Sequence, residues 1–239
     1  MPEFRNQQYE LPSDTASSSK LNSLRAAVLG ANDGVVSVSS IVMGVAGATS
    51  DSKAISLAGL AALIAGALSM AVGEYVSVSS QSDAEKAYIE HEKRELAEMP
   101  EFELHELTQE YVKHGVSEKT ARVVAEELTA KDALRAHLRM HFNLDPDDIN
   151  SPWQAAIASL VAFTVGGLVP FLAILLVPPD VRIPVTVGSV VVALVVIGLL
   201  SAHAGKASWL RAVMRVVVGG VLAMAITYGV GVLFGTTVG

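Results

Sequence analysis

Cysteine is absent from all 239 residues of the chain. Without thiols the protein has no disulfide, no thiolate metal site and no cysteine nucleophile. Charge is also scarce, because only 17% of the residues are Asp, Glu, Lys or Arg, against ~25% in an average soluble domain. Apolar side chains are abundant instead, at 51%. This balance favours a membrane protein over a soluble one.

Five long apolar runs account for most of this hydrophobicity. Each reaches or nearly reaches the ~20 residues that a helix needs to cross a bilayer, and none has the strict alternation of a strand. The sequence therefore predicts an all-α integral membrane protein with five transmembrane helices, although the fourth run also fits a buried core helix. The runs are Leu24 to Thr49, Ala54 to Ser80, Trp153 to Val177, Pro184 to Ala202 and Ala212 to Val238.

Residues 81–150 form an acidic insert between the second and third predicted spans. The insert holds 17 of the 24 acidic residues and 9 of the 17 Lys and Arg residues, which gives it a formal charge of −8. Such acidity favours a cation partner and argues against nucleic acid, which selects basic patches. Proline, glycine and capping residues divide the insert into three to four predicted helices, over residues 83–99, 101–115, 117–127 and 131–142.

An odd number of spans places the two ends of the chain on opposite sides of the membrane. If the N-terminus is cytoplasmic, the outer loops hold only Lys53 and Arg182, in agreement with the positive-inside rule. We therefore expect a polar cytoplasmic tail over residues 1–22, spans 1 and 2 over residues 23–80, a cytoplasmic acidic metal-binding domain over residues 81–150, and spans 3–5 over residues 151–239.

Two glutamate pairs with matching spacing lie in the insert. Glu92 and Glu95 are three residues apart, as are Glu103 and Glu106, so the two members of each pair share one helical face. Carboxylate oxygens suit Mg, Ca and Mn, and together with imidazole they suit Fe(II). The plainer interpretation of each pair is a solvated acidic face. A di-iron carboxylate bundle is disfavoured, because no histidine lies at Glu-x-x-His spacing.

Two carboxylates interrupt the first two predicted spans. Asp33 lies about 12 Å along its helix from Arg25, and Glu74 is similarly placed in the second span. An ionisable group inside a membrane is expensive and normally marks a transport path. Met70 shares a helical face with Glu74 and offers a thioether, which Fe(II) tolerates better than Ca or Mg. The alternative is structural: Asp33 caps or kinks its helix, and Glu74 pairs with Arg25.

Three motifs resemble those of the vacuolar iron transporter family, and the chain resembles a bacterial-type member of it. The segment RAAVLGANDG, residues 25–34, resembles the family's first-span signature, and ALSMAVGEYVS, residues 67–77, resembles its second-span signature. The two Glu-x-x-Glu pairs, separated by seven residues, resemble its cytoplasmic metal-binding domain. The resemblance extends over most of the chain, from about residue 22 to about residue 236.

This resemblance implies a homodimeric transporter, not an enzyme, that moves Fe(II) and Mn(II) out of the cytosol in exchange for protons. No prosthetic group is expected; iron and manganese are substrates, and Zn(II) is a further ion for the cytoplasmic domain. The implied partners are divalent metal ions, protons, the lipid bilayer and a second copy of the chain, with no nucleic acid. The implied location is a membrane crossed several times, the inner membrane if the cell is bacterial.

The resemblance also implies roles for single residues. Asp33 and Met70 match positions that bind the transported ion, and Glu74 matches the glutamate of the second motif. Near the end of the insert the family has an acidic residue followed by Leu-Gly-Leu, whereas this chain reads RMHFNL over residues 139–144. Met140 or His141 takes that place, and His137 is a further candidate. The implied cytoplasmic ligands are Glu92, Glu95, Glu103, Glu106, Met140 and His141.

Two other functions fit parts of the sequence. A membrane-anchored metal buffer or sensor would use the insert alone and would leave Asp33 and Glu74 without a role. A membrane-embedded enzyme is disfavoured, because the sequence shows no nucleophile–base pair, phosphate-binding loop or nucleotide fingerprint. The resemblance, together with the two carboxylates inside the spans, therefore favours a proton-coupled exporter of divalent metal.

Overall fold

The computed structural model describes the backbone of residues 18–238 and the side chains of residues 23–235. Within this range the protein is helical throughout, with no strand, so the all-α prediction is confirmed. The tail predicted over residues 1–22 lies largely outside the described residues. The helices are α1 (Ser18–Ala48), α2 (Ser52–Glu98), α3 (Pro100–Lys113), α4 (Glu118–Phe142), α5 (Pro152–Leu176), α6 (Arg182–Ala204) and α7 (Trp209–Val238).

Five of these helices are long and apolar enough to cross a membrane, which confirms the five predicted spans. They are α1, α2, α5, α6 and α7. The run that also fitted a buried core helix is α6, yet only 28% of its most apolar stretch is buried. Most of its apolar surface therefore faces outward, as contact with lipid requires.

The part of α2 after residue 80 and the helices α3 and α4 make up the insert. Pro100 begins α3, where its missing N–H and fixed φ are tolerated. A break was predicted between residues 127 and 131, but only Asp132 departs from helical geometry within α4, with φ −165° and ψ 90°. Asp132 Oδ1 accepts a hydrogen bond from the Arg135 backbone N–H at 3.0 Å. The helix therefore stops at this residue and restarts at once with Asp132 as its N-cap.

Contacts divide the described chain into two compact units, one made of residues 81–150 and the other of residues 22–80 and 151–239. In the insert unit, α3 packs against α4. Leu107, Ala121, Ala125 and Leu138 are completely buried there. Small alanine side chains on α4 allow the two helices to approach closely, which places polar groups of the insert next to one another.

In the membrane unit, α1 is the most enclosed span. Of its most apolar stretch, 39% is buried, against 17% to 33% in the other four spans. One apolar cluster joins it to α2 and α5 around Val42 and Phe163. A second cluster joins it to α6 and α7 around Val35, Val190 and Met224. Asp33 therefore lies on the span with the most protein around it.

Arg182 links two loops at one end of the membrane unit. Arg182 is 5% exposed, and its guanidinium donates hydrogen bonds to the Ser50 carbonyl oxygen at 3.0 Å and to Ser52 Oγ at 3.1 Å. The α1–α2 and α5–α6 connections therefore lie at the same end of the bundle. This is the arrangement that alternating spans require, because α1 and α5 then run in the same direction.

Candidate metal centre

Three metal-ligating side chains converge in the insert, one from each of its helices. Glu92 comes from α2, Glu103 from α3 and His137 from α4, and one ligand atom of each lies within 4.8 Å of the other two. His137 Nδ1 is 2.8 Å from Glu92 Oε1 and 3.4 Å from Glu103 Oε2. All three residues are buried, with exposed fractions of 3%, 1% and 0%. A buried pair of carboxylates with an imidazole is a ligand set for a divalent cation.

Several ligand atoms in this cluster have no hydrogen-bond partner among the described residues. They are Glu92 Oε1, both ring nitrogens of His137, and Nε2 of His141. Buried polar atoms are nearly always hydrogen-bonded, so four orphaned atoms in one place need an explanation. His137 Nδ1 and Glu92 Oε1 are only 2.8 Å apart. Two lone pairs at this distance repel each other unless a proton or a cation lies between them.

Burial disfavours the charged form of each group in the cluster, which opposes metal binding at the glutamates and favours it at the histidine. It raises the pKa of Glu92 from 4.5 to about 7, and the charges of Glu103, Glu95 and Glu106 add to the effect. The pKa of Glu103 is raised for the same reason, burial first. Burial lowers the pKa of His137 from 6.5 to about 4, with a further contribution from His141. His137 is therefore neutral at pH 7 and offers a lone pair.

The second glutamate of each pair lies at the rim of this cluster. Glu95 is partly exposed and pairs with His91, whose Nε2 is 3.4 Å from its carboxylate. Glu106 is also partly exposed. Both charges raise the pKa of Glu103, so both act on the buried carboxylates over a short range. The structure thus distinguishes a buried and a rim member within each predicted pair.

His141 lies beside the cluster, whereas Met140 faces a different part of the insert. The imidazole of His141 stacks on that of His137, with ring centroids 5.5 Å apart and planes 3° from parallel. Met140 instead lines a separate cavity next to Arg135 and Arg139. The sequence interpretation gave His137 less weight than its neighbours, although its spacing of four residues from His141 places both rings on one helical face.

The three predicted pathway residues have different sets of partners. Asp33 accepts a hydrogen bond from Ser37 Oγ at 2.7 Å, one turn along α1. Met70 packs against the apolar cluster shared by α1, α2 and α5. Glu74 is 7% exposed, and its Oε2 lies 3.8 Å from Arg25, the contact that the structural alternative anticipated. Glu74 Oε2 has no hydrogen bond among the described residues, so this pair is loose.

A family model described as the VIT family matches residues 24–232. The chain belongs to the VIT family. It is 44% identical over 211 residues to a vacuolar iron transporter of Acanthamoeba castellanii, which covers 88% of this chain and 78% of that protein. It is 41% identical over 214 residues to vacuolar iron transporter homolog 3 of Arabidopsis thaliana, which covers 89% and 84% of the two chains.

Membership in the VIT family and the five apolar helices together identify a multi-pass membrane protein. A third relative, vacuolar iron transporter homolog 5 of Oryza sativa subsp. japonica, is 38% identical over 216 residues, or 90% of this chain and 82% of that protein. All three are named as transporters and not as enzymes, in agreement with the non-enzyme prediction. They come from an amoeba and two plants, so the bacterial-type assignment stays a prediction.

Proposed function

We propose that this chain transports divalent iron, manganese or both across a membrane, out of the cytosol and in exchange for protons. The observation that carries the proposal is the buried cluster of Glu92, Glu103 and His137 in a chain with five membrane-spanning helices. Carboxylates with an imidazole suit Fe(II), and Mn(II) accepts the same oxygen ligands. The names of the relatives, vacuolar iron transporters, support iron as one cargo.

In this proposal the insert, residues 81–150, is a cytoplasmic domain that collects metal. Glu92, Glu103 and His137 hold the ion, while Glu95 and Glu106 attract it from the rim of the site. His141 supplies a further imidazole, which would also let the domain bind Zn(II). Met140 is the least supported of the predicted ligands, because it lines a separate cavity.

The membrane carboxylates form the second half of the proposed route. Asp33 and Glu74 bind either a metal ion or protons, and this competition couples the two fluxes, with Met70 as an additional thioether ligand. The Arg25 side chain is 59% exposed, and it lies 3.8 Å from the Glu74 carboxylate, whose side chain is only 8% exposed. This separation is too long for a hydrogen bond. In this proposal an arriving divalent cation displaces Arg25 from Glu74.

We further propose a homodimer with its N-terminus and insert in the cytoplasm, in the inner membrane if the cell is bacterial. The excess of Lys and Arg on the proposed inner side supports the orientation. Glycine-rich spans support close association of helices in lipid. The proposed division is a tail over residues 1–22, spans over residues 23–80 and 151–239, and the metal-binding domain between them.

Uptake into proteoliposomes tests the function directly. With the insert facing outward, externally added Fe(II) or Mn(II) should enter faster when the lumen is acidic. Asp33→Ala should reduce transport to the level of empty liposomes, because the path loses its carboxylate. Glu103→Ala should raise the half-saturating metal concentration about tenfold or more, in the range typical for altered metal sites, and leave the maximal rate nearly unchanged. Asp51→Ala, in the exposed α1–α2 loop, serves as the control.

Three results would contradict parts of this proposal. Full transport by Asp33→Ala would remove Asp33 from the path, and flux indifferent to the pH gradient would remove proton exchange. Metal binding without any flux would support the alternative, a membrane-anchored buffer or sensor. Metal binding by the insert is expected under both functions, whereas five membrane spans that contain Asp33 and Glu74 are expected only for transport. Flux is therefore the measurement that separates the two functions.

A further inference from the structure

Glu85 is a buried carboxylate that the proposed function does not use. It lies seven residues before Glu92 on α2, which is two helical turns on the same face and about 10.5 Å along the axis. Only 7% of Glu85 is exposed, compared with 3% of Glu92. Carboxylates are almost never fully buried unless they are paired, so this residue calls for a partner.

Among the described residues, the hydrogen bonds to the Glu85 carboxylate come from two amides. Gln81 Nε2 donates to Glu85 Oε1 at 2.9 Å, and Asn150 Nδ2 approaches the same oxygen at 3.5 Å, the outer limit for a hydrogen bond. Asn150 is itself 5% exposed. Its Oδ1 has no hydrogen-bond partner among the described residues. The amide of Asn150 is thus buried against a carboxylate and poorly satisfied at both of its polar atoms.

We propose that Glu85, Asn150 and Gln81 form a second divalent-cation site in the insert. The Asn and Gln side chains each carry a carbonyl oxygen as well as an NH₂ group, so a half-turn of each amide presents oxygen where nitrogen now lies. A cation held there would be shared by the Glu85 carboxylate and two amide oxygens. It would give the orphaned Asn150 Oδ1 a partner and compensate the buried charge of Glu85.

The donor set defines the class of cation. All the protein ligands are oxygens, which suits hard ions such as Mn(II) and Mg(II). The cluster of Glu92, Glu103 and His137 contains an imidazole and suits softer ions better. The site at Glu85 therefore offers a position two turns from that cluster with a different metal preference. A role for this site in passing on transported metal would rest on the proposed function, but its binding of a cation does not.

Mn(II) binding by the purified full chain, followed by electron paramagnetic resonance, tests the site. The background is Glu103→Gln with His137→Ala, which disables the neighbouring cluster. In that background, Glu85→Gln should abolish one bound Mn(II) per chain or weaken it at least about tenfold. Glu90→Gln is the matched control, since Glu90 is an exposed glutamate on α2 that pairs only with Lys93 among the described contacts.

Asn150→Asp separates a metal site from a merely structural contact. If a cation binds, a second carboxylate should tighten Mn(II) binding about tenfold, because affinity rises with ligand charge. Mn(II) should then raise the melting temperature of this variant more than that of the parent chain. If Glu85 is only hydrogen-bonded, the two carboxylates should lower the melting temperature and added Mn(II) should not restore it. That result, or unchanged Mn(II) binding in Glu85→Gln, would overturn the proposal.

Both outcomes are read in detergent and need no transport. A failure of the second site therefore leaves metal flux by the parent chain intact. If the proposed function is wrong, the parent chain shows no metal flux, while Mn(II) still binds at Glu85. The two hypotheses are distinguished by measuring binding and flux on the same preparations.

Discussion

At the scale of single residues, Glu92 carries a charge that its surroundings disfavour. Burial and three neighbouring carboxylates raise its pKa to about 7, whereas the unfolded chain titrates near 4.5. The folded state therefore prefers protonated Glu92. The stability that this preference provides is complete below about pH 4.5 and is lost as the pH rises through about 7. Above that pH the metal-free insert contains an ionised carboxylate without compensation.

Glu92→Gln is expected to stabilise the metal-free protein at pH 8 while it weakens metal binding. The amide keeps the shape of the side chain and removes the charge, so the gain is at most about 3 kcal/mol at pH 8 and at most about 1 kcal/mol at pH 5. Added Mn(II) or Zn(II) should stabilise the parent chain at pH 8 more than it stabilises the variant, which keeps only the proposed site at Glu85. Thermal unfolding of the insert at both pH values, with and without metal, measures all of these quantities.

The exposed Glu98 provides the control for this experiment, because Glu98→Gln removes an equal charge from the surface of the same helix. It should change the melting temperature equally at both pH values and preserve the response to metal. A lower melting temperature of Glu92→Gln at pH 8 would mean that the Glu92 carboxylate is needed as a hydrogen-bond acceptor in the metal-free fold.

The pKa of His137 is shifted in the opposite direction, from 6.5 to about 4. The stability that neutral His137 provides is therefore lost as the pH drops from about 6.5 towards 4.

At the scale of helices, close backbone contacts join α1 to its neighbours. A Cβ built on Gly231 of α7 would collide with the carbonyl oxygen of Gly44 on α1. A Cβ on Gly34 of α1 would similarly collide with the backbone of Phe163 on α5. Small residues permit such approach in a membrane, where packing replaces the hydrophobic effect as the force between helices. These glycines therefore hold α1 inside the bundle.

Gly231→Ala is expected to destabilise the membrane unit by about 1–3 kcal/mol, the usual cost of overpacking. Gly229→Ala, two residues earlier on α7, is the matched control, because a Cβ there has nothing within 4 Å. The control should be neutral or slightly stabilising, since alanine is the better helix former. Melting temperatures of both variants in detergent test the difference. Equal values would show that α1 and α7 separate easily enough to accommodate the methyl group.

Some helix boundaries depend on local sequence, and others depend on tertiary packing. Pro100 marks the start of α3 because proline is compatible only with the first turn of a helix. The gap predicted before Lys131 is narrower in the structure, where Asp132 alone is non-helical. Its carboxylate caps the next turn, so α4 continues and carries His137 to the cluster. A sequence pattern identifies such a cap but not the direction in which the helix continues.

At the scale of the whole molecule, the five spans define two ends of the membrane unit. Arg182 connects the α1–α2 loop to the start of α6, so both connections share one end. The proposed orientation places this end outside and the insert inside. The chain contains no cysteine, so each introduced thiol is the only one present and reports on a single position.

Labelling of single-cysteine variants with a membrane-impermeant maleimide tests the orientation. Lys53→Cys and Asp180→Cys should react in intact cells, because Lys53 is exposed in the first turn of α2 and Asp180 is exposed in the α5–α6 loop, both at the proposed outer end. Lys93→Cys and Lys206→Cys should react only after permeabilisation. The parent chain, which should not react at all, is the control. Reaction of Lys93→Cys in intact cells would reverse the orientation, and reaction of all four would contradict the proposed span topology.

The sequence by itself determined the number of spans, the acidic insert and the glutamate pairs. These features depend on length, composition and spacing, which are local properties of the chain. A bilayer selects helices by apolar length, and residues three apart share a helical face whatever surrounds them. The family followed from the same local evidence, because its motifs are short and contiguous.

Only the tertiary structure decided which of these groups act together. Glu92 and His137 are 45 residues apart, and Glu85 and Asn150 are 65 apart, so no local period connects them. Packing of α3 against α4 determined that one glutamate of each pair is buried while the other stays at the rim. Burial then set the pKa values of the cluster, because desolvation depends on what surrounds a group and not on its neighbours in sequence.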